Sequence, residues 1–218
     1  MGRPRKISDD ELMAACGRAI GRYGPGFTLA QVAAEAGIAV GTVSGRFGSK
    51  HGLLLAMMTE AAAGVEERMR AAAARHRDPT DAILAAVLVT AEGVADPRTT
   101  TNHLAQLGID MSDPALRDGL GELRAKVREV LRSLLASAAF AGAPPPARAA
   151  RVIAALAHGA QLDWALAPTG KLTDRLRADV RAVLSSWHQV SAQPSLSPAH
   201  HQRVVDLEEW PRDRRERP

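Results

Sequence analysis

Residues 28–50 read TLAQVAAEAGIAVGTVSGRFGSK, and their spacing predicts two short helices joined by a tight turn. Val32 and Ala33 face inward from the first helix, and Ala33 is small enough for a second helix to cross close by. Gly37 supplies the turn, where a positive φ costs little only in the absence of a Cβ. Ile38, Val43 and Phe47 then close a small core around the second helix, which covers Val40 to Phe47. Such a pair, with its second helix exposed along one side, is the helix-turn-helix that places a helix in the DNA major groove.

The flanking sequence is helical almost throughout. Ser8 and Glu11 form a capping-box pair for a helix over 9–23, whose stripe is Leu12, Cys16, Ala19, Ile20 and Tyr23. Gly24-Pro25-Gly26 breaks it, and Thr28 with Gln31 caps the next helix in the same way. Ser49 caps a long helix over 50–76. Asp78-Pro79 opens a helix running to 95, Asp96-Pro97 ends it, and a shorter helix spans 101–111. Asp113-Pro114 opens another, in which Leu116, Leu120, Leu123, Val127, Leu131 and Leu134 recur every three or four residues. Three prolines at 144–146 separate it from a helix over 147–167, and a last helix covers 173–190. No strand alternation is visible. The expectation is an all-α protein of about nine helices in three parts. These are a three-helix DNA-binding domain with a basic arm (1–50), a helical ligand-binding and dimerisation bundle (51–191) and a loosely ordered tail (192–218).

Composition narrows the class. At 218 residues the chain exceeds what a lone DNA-binding module needs, and no apolar run is long enough to span a bilayer. Cys16 is the only cysteine, which fits a reducing cytoplasm. The net charge is +4, and residues 1–50 hold seven Lys/Arg against four Asp/Glu. The excess therefore sits with the helix-turn-helix, as a phosphate-facing surface requires. No glycine-rich phosphate loop, paired-cysteine metal site or HExxH motif is present, so no cofactor, metal or catalytic role is expected.

In its first fifty-odd residues the chain resembles the TetR (tetracycline-repressor) family of bacterial regulators. The resemblance rests on the order Gly24-Pro25-Gly26-Phe27-Thr28, Val32-Ala33, Ala36-Gly37-Ile38, Gly41-Thr42-Val43, Phe47, Ser49-Lys50 and Leu53-Leu54. It implies a homodimeric transcription factor, usually a repressor, that binds a palindromic DNA operator. A small molecule bound in the C-terminal domain re-spaces the two recognition helices. By correspondence, Thr28, Val40, Gly41, Thr42, Ser44, Gly45 and Arg46 face DNA, and Lys50 meets a phosphate. The family usually carries a tyrosine where Ser44 stands and a larger polar residue where Gly45 stands. The reading surface is therefore short, with fewer direct base contacts. The arm Gly2-Arg3-Pro4-Arg5-Lys6 is similar to an AT-hook core. Arg3, Arg5 and Lys6 either enter a narrow minor groove or attract phosphates without specificity.

The same resemblance places a ligand pocket among the middle helices. Its candidate lining residues are Met57, Met58, Ala61, Leu84, Val87 and His103, followed by Leu107, Asp110, Met111, Leu123, Val127 and Trp164. Met and Leu at helical spacing are usually ordinary core, so each taken singly reads first as core. Only Phe140, Trp164 and Trp187 remain as aromatics for this domain, too few to cage a cationic drug. A mainly aliphatic effector is the better expectation. The last two helices look like the dimerisation pair, with Ala154, Ala155, Ala157, Gly159 and Ala160 on one and Leu176, Val180, Val183 and Trp187 on the other. These faces could instead bury each other inside one chain. The alternative class is an all-helical small-molecule-binding protein or enzyme without DNA binding, which would need a catalytic cluster the sequence does not display.

Overall fold

A computed structural model of the chain describes residues 7–94 and 96–188. Among the described residues it holds nine α-helices and no strand. They are α1 (Asp9–Tyr23), α2 (Leu29–Ala36), α3 (Val40–Phe47), α4 (Lys50–Ala73), α5 (Pro79–Val89), α6 (Pro97–Ser112), α7 (Pro114–Ala138), α8 (Pro146–Leu166) and α9 (Leu172–His188). The arm residues Arg3, Arg5 and Lys6 and the tail 192–218 lie outside the described residues.

Local chemistry sets the boundaries. Both capping boxes form: Ser8 with Glu11 at α1, and Thr28 with Gln31 at α2. Gly37 ends α2 with φ 68° and ψ 35°, the left-handed conformation the tight turn requires. α5 is shorter than its apolar pattern suggests. It stops at Val89, and the Thr90 hydroxyl donates to the Val87 carbonyl at 2.7 Å. Asp96-Pro97 is a start signal rather than a stop. The Asp96 carboxylate accepts from the Thr99 backbone N–H at 2.9 Å and from its hydroxyl at 2.6 Å, and Pro97 takes the first helical position. α6 therefore begins four residues earlier than the sequence pattern places it.

Two apolar cores result. The first joins Leu12, Cys16, Ile20, Phe27, Val32 and Val43 to Leu53, Leu54 and Met58 of α4 and Leu116 of α7. This N-terminal core thus extends beyond residue 50, and the long α4 belongs to both cores. The second packs α4, α5, α7, α8 and α9 around Met69, Ile83, Leu131, Ile153, Leu176 and Leu184. α6 crosses between them against α1, α7 and α8.

Candidate nucleic-acid interface and effector cavity

α3 is held by one buried residue. Val43 is fully buried, whereas Gly41, Thr42, Gly45 and Arg46 are exposed and Val40 is 49% exposed. An eight-residue helix anchored by one valine, with Phe47 half-buried at its end, leaves its whole outer side free. Thr28 is exposed at the start of α2, and its hydroxyl accepts from the Gln31 N–H. The Ser44 hydroxyl turns back to donate to the Gly41 carbonyl at 3.4 Å, which shortens the reading surface further.

The two cations expected at the DNA have other partners in the free protein. The Arg46 guanidinium pairs with the Asp9 carboxylate and donates to the Ile7 carbonyl at 3.5 Å. Asp9 is exposed, so this pair is of the weak surface kind and exchangeable. Lys50 faces inward. Its ammonium donates to the Pro25 carbonyl and sits 4.1 Å from the centroid of the Phe27 ring. Burial pulls its pKa below the usual lysine range, opposed by the fields of Cys16 and Asp110. In the DNA-free chain Lys50 thus ties the start of α4 to the α1–α2 link. Gly52 tightens the same joint. A Cβ there would fall on the Phe47 carbonyl oxygen, so the end of α3 approaches α4 as closely as only glycine permits.

α1 meets the larger domain through α6. The Asn102 amide donates to the Gly21 carbonyl at 2.7 Å. A Cβ on Gly21 would lie 2.8 Å from Thr99 Cγ2, and one on Gly24 would lie 2.9 Å from Asn102 Oδ1. Beside this joint α6 carries three polar groups on one side. His103 is half-buried, and burial lowers its pKa. Asp110 is 2% exposed and accepts from the Gln106 amide at 2.7 Å, while Gln106 Oε1 is buried with no partner. Burial pushes Asp110 above the usual carboxylate range, against the pull of the Gln106 hydrogen bond and Lys50. Cys16 nearby is pushed up to about 12 by burial, which makes it an inert thiol.

Two adjoining cavities open here. One, of about 1040 Å³, lies between α1, α4 and α6 and is lined by Met57, Met58, His103, Leu107 and Asp110 among others. The second, of about 520 Å³, lies among α4, α5, α7 and α8 and is lined by Ala61, Val87, Leu107, Leu123 and Val127 among others. Leu107, Leu120, Arg68, Thr90 and Gln161 border both. Three expected lining residues lie elsewhere. Leu84 is buried in the second core, Met111 is 48% exposed on the surface, and Trp164 packs in the core with its indole N–H donating to the Gly170 carbonyl at 3.3 Å. Sequence reasoning missed Gln106, Asn102 and Gly21, because nothing local marks a helix face that meets a distant helix.

The expected dimer residues are mostly internal. Ala157, Ala160, Leu176 and Val180 are buried, and Ala154, Val183 and Trp187 are half-buried against the same core. The small residues of α8 let α7 and α9 approach within one chain. The free face of α8 is a different stripe. Val152, Ala155, Gly159, Leu162 and Leu166 recur at three- and four-residue spacing, and all five are exposed, Leu162 by 47% and Leu166 by 77%. Ala155 and Gly159 belong to the small residues that the sequence assigns to the dimer pair, whereas Val152, Leu162 and Leu166 are not among them. Among the described residues, no cluster of His, Cys, Asp or Glu could hold a metal ion, and no helix is long and apolar enough to cross a membrane.

Residues 12–57 match the family profile described as bacterial regulatory proteins, tetR family. No curated protein matches the sequence. Among solved structures, a transcriptional regulator from Rhodococcus sp. is similar at 22% identity, with 84% of this chain and 100% of that one covered and a TM-score of 0.62. A TetR transcriptional regulator from Streptomyces coelicolor is similar at 19% identity, covering 84% of this chain and 100% of that one with a TM-score of 0.61. The fatty acid degradation regulator FadR from Bacillus halodurans is similar at 16% identity, covering 81% and 98% with a TM-score of 0.58. At these identities the structural likeness speaks for the fold.

Proposed function

We propose that this chain, whose residues 12–57 match the tetR family profile of bacterial regulatory proteins, is a ligand-responsive transcriptional repressor that binds a palindromic operator as a homodimer. The observation that carries this reading is α3, an eight-residue helix with one buried side chain and an otherwise open face. A helix whose outer side has no work to do in the fold is free to enter a major groove. Thr42 and Val40 supply a hydroxyl and methyl groups for base edges. Gly41 and Gly45 let the helix backbone come close, and Arg46 leaves Asp9 for a phosphate. Lys50 acts behind them by holding α3 at its angle to α1. The proposed units are a DNA-reading head over 1–50, braced by the start of α4, and an effector and dimerisation body over 51–191.

Dimerisation follows from the outer stripe of α8. Two copies of the Val152–Leu166 face, related by a two-fold axis, bury each other and set two α3 helices side by side. The effector enters the cavities beside α6. Because α6 grips α1 through Asn102, Gly21 and Gly24, a ligand that shifts α6 moves α1 and with it α3. The apolar lining supports an aliphatic effector, and the similar regulator FadR is described as governing fatty acid degradation.

Selection of the full chain on random duplexes tests this. The expected product is an inverted repeat with half-sites about one helical turn apart, and Thr42→Ala should relax preference at one base step in each half. Failure to enrich any sequence above nonspecific binding would favour the alternative, a helical binding protein whose N-terminal helices only pack.

A further inference from the structure

We infer that the cavity among α4, α5, α7 and α8 takes an anionic amphiphile, an aliphatic chain ending in a carboxylate or phosphate, with arginines holding the head. The inference rests on reading this cavity as the effector site. Its interior is aliphatic, with Val65, Val87, Leu123, Val127 and Leu131 along the walls. The charged residues that line it are Arg68, Arg124, Arg128 and Arg151, drawn from three helices, with no carboxylate among the lining.

What sets these arginines apart is their convergence on one aliphatic wall without an acid; on other faces Arg132 pairs with Glu129, Arg177 with Asp174 and Arg181 with Asp81. None of the four cavity arginines is in an ion pair among the described residues, although Arg124 and Arg128 are half-buried. On α7 the separation is by face. Leu120, Arg124, Val127, Arg128 and Leu131 point to one side, and the acids Glu122 and Glu129 pair with Lys126 and Arg132 on the other. His158 on the cavity wall feels the surplus. Its pKa is lowered by burial and further by the nearby Arg124.

Like charges gathered over a low-dielectric wall repel, and an anion among them relieves the repulsion. Planar guanidinium forks match carboxylate and phosphate oxygens in pairs, and the aliphatic depth behind them fits a chain rather than a compact ion. The volume of about 520 Å³ lies within the usual range for small-molecule sites. The same collar rejects a cationic amphiphile by like-charge repulsion.

Calorimetric titration of the full chain with decanoate, decyl phosphate, decanol and decyltrimethylammonium, each below its aggregation concentration, tests the inference. The two anions should bind about tenfold or more tighter than the alcohol, their advantage should shrink with added salt, and the cation should not bind. Arg124→Gln with Arg128→Gln should bring the anions down to the level of decanol while decanol binds as before, which also shows that the cavity is intact. If the double variant does not fold, Arg151→Gln on the exposed side of α8 should produce a smaller loss of the same kind. Decanol binding as tightly as decanoate, or anion preference surviving in the variants, would overturn the inference. A parallel titration of the protein on its selected duplex separates the two readings. An anion that binds without releasing DNA overturns the effector role and leaves the site standing. Release by decanol and decanoate alike overturns the anion preference and leaves the effector role standing.

Discussion

Replacing Lys50 with alanine separates two roles that a lysine at the start of this helix can have. In the structure its ammonium holds the Pro25 carbonyl and covers the Phe27 ring at 4.1 Å, and Phe27 is 1% exposed. A hydrogen bond from a charged donor contributes about 1.5–3 kcal/mol, and a partly exposed cation–π contact about 0.5–1 kcal/mol. Desolvation of the ammonium offsets part of both, as its lowered pKa indicates. Water also reaches the half-buried Pro25 in the variant. The net loss expected for Lys50→Ala is therefore about 1–2 kcal/mol, read by urea unfolding followed by far-ultraviolet circular dichroism at fixed protein concentration. Operator affinity measured across a salt series gives the second readout. A lysine on a phosphate accounts for a slope of about 0.9 in log K against log salt, and a pinning lysine accounts for none. The expected result is reduced stability with an unchanged salt slope. A slope reduced by about 0.9 with stability untouched would refute the pinning role and return Lys50 to the DNA.

Three further variants probe other sites. Gly52→Ala places a Cβ on the Phe47 carbonyl, so it should cost about 1–3 kcal/mol as an overpacked contact and lower operator affinity by tilting α3; wild-type stability and affinity in this variant would show that the approach is not tight. Leu162→Glu with Leu166→Glu puts charges on the exposed stripe of α8, and sedimentation should then report a monomer with weakened operator binding, whereas an unchanged dimer would move the interface elsewhere. Burial raises the folded pKa of Asp110 above the ordinary carboxylate value, so its most favourable contribution lies below that ordinary value and is lost as pH rises through the folded pKa. Asp110→Asn should therefore be more stable than the parent at neutral pH, with the gain closing under acid; a gain that grows on acidification would reverse the assignment.

Much of the architecture was legible because the stop and start signals are local. Ser8, Thr28, Ser49, Asp78 and Asp113 each accept from a backbone N–H in the first turn of the following helix, as their positions suggest. Asp96 does the same work for α6 but follows an apolar run that continues the α5 pattern, so it reads as an ending. α3 covers Val40–Phe47 as its spacing predicts, with Val43 buried and Phe47 packed against the first core. The fate of side chains beyond their own helix was less legible. Lys50 and Arg46 look like free cations in sequence, yet their partners, Pro25 and Asp9, lie 25 and 37 positions away. The alanines of α8 read as an intersubunit seam because a small residue permits close approach by any helix, and within one chain Ala157 and Ala160 are buried in the second core. The arginine collar was invisible for a related reason, since Arg68, Arg124, Arg128 and Arg151 converge only when three helices are in place.

Two α3 helices of a dimer are expected to read one duplex together. Hydroxyl-radical footprinting of the full chain on its selected site measures this directly. Two protected patches, symmetric about a dyad and about one helical turn apart, are expected, with both weakened by Thr42→Ala. A single patch, or uniform protection indifferent to Thr42, would contradict it.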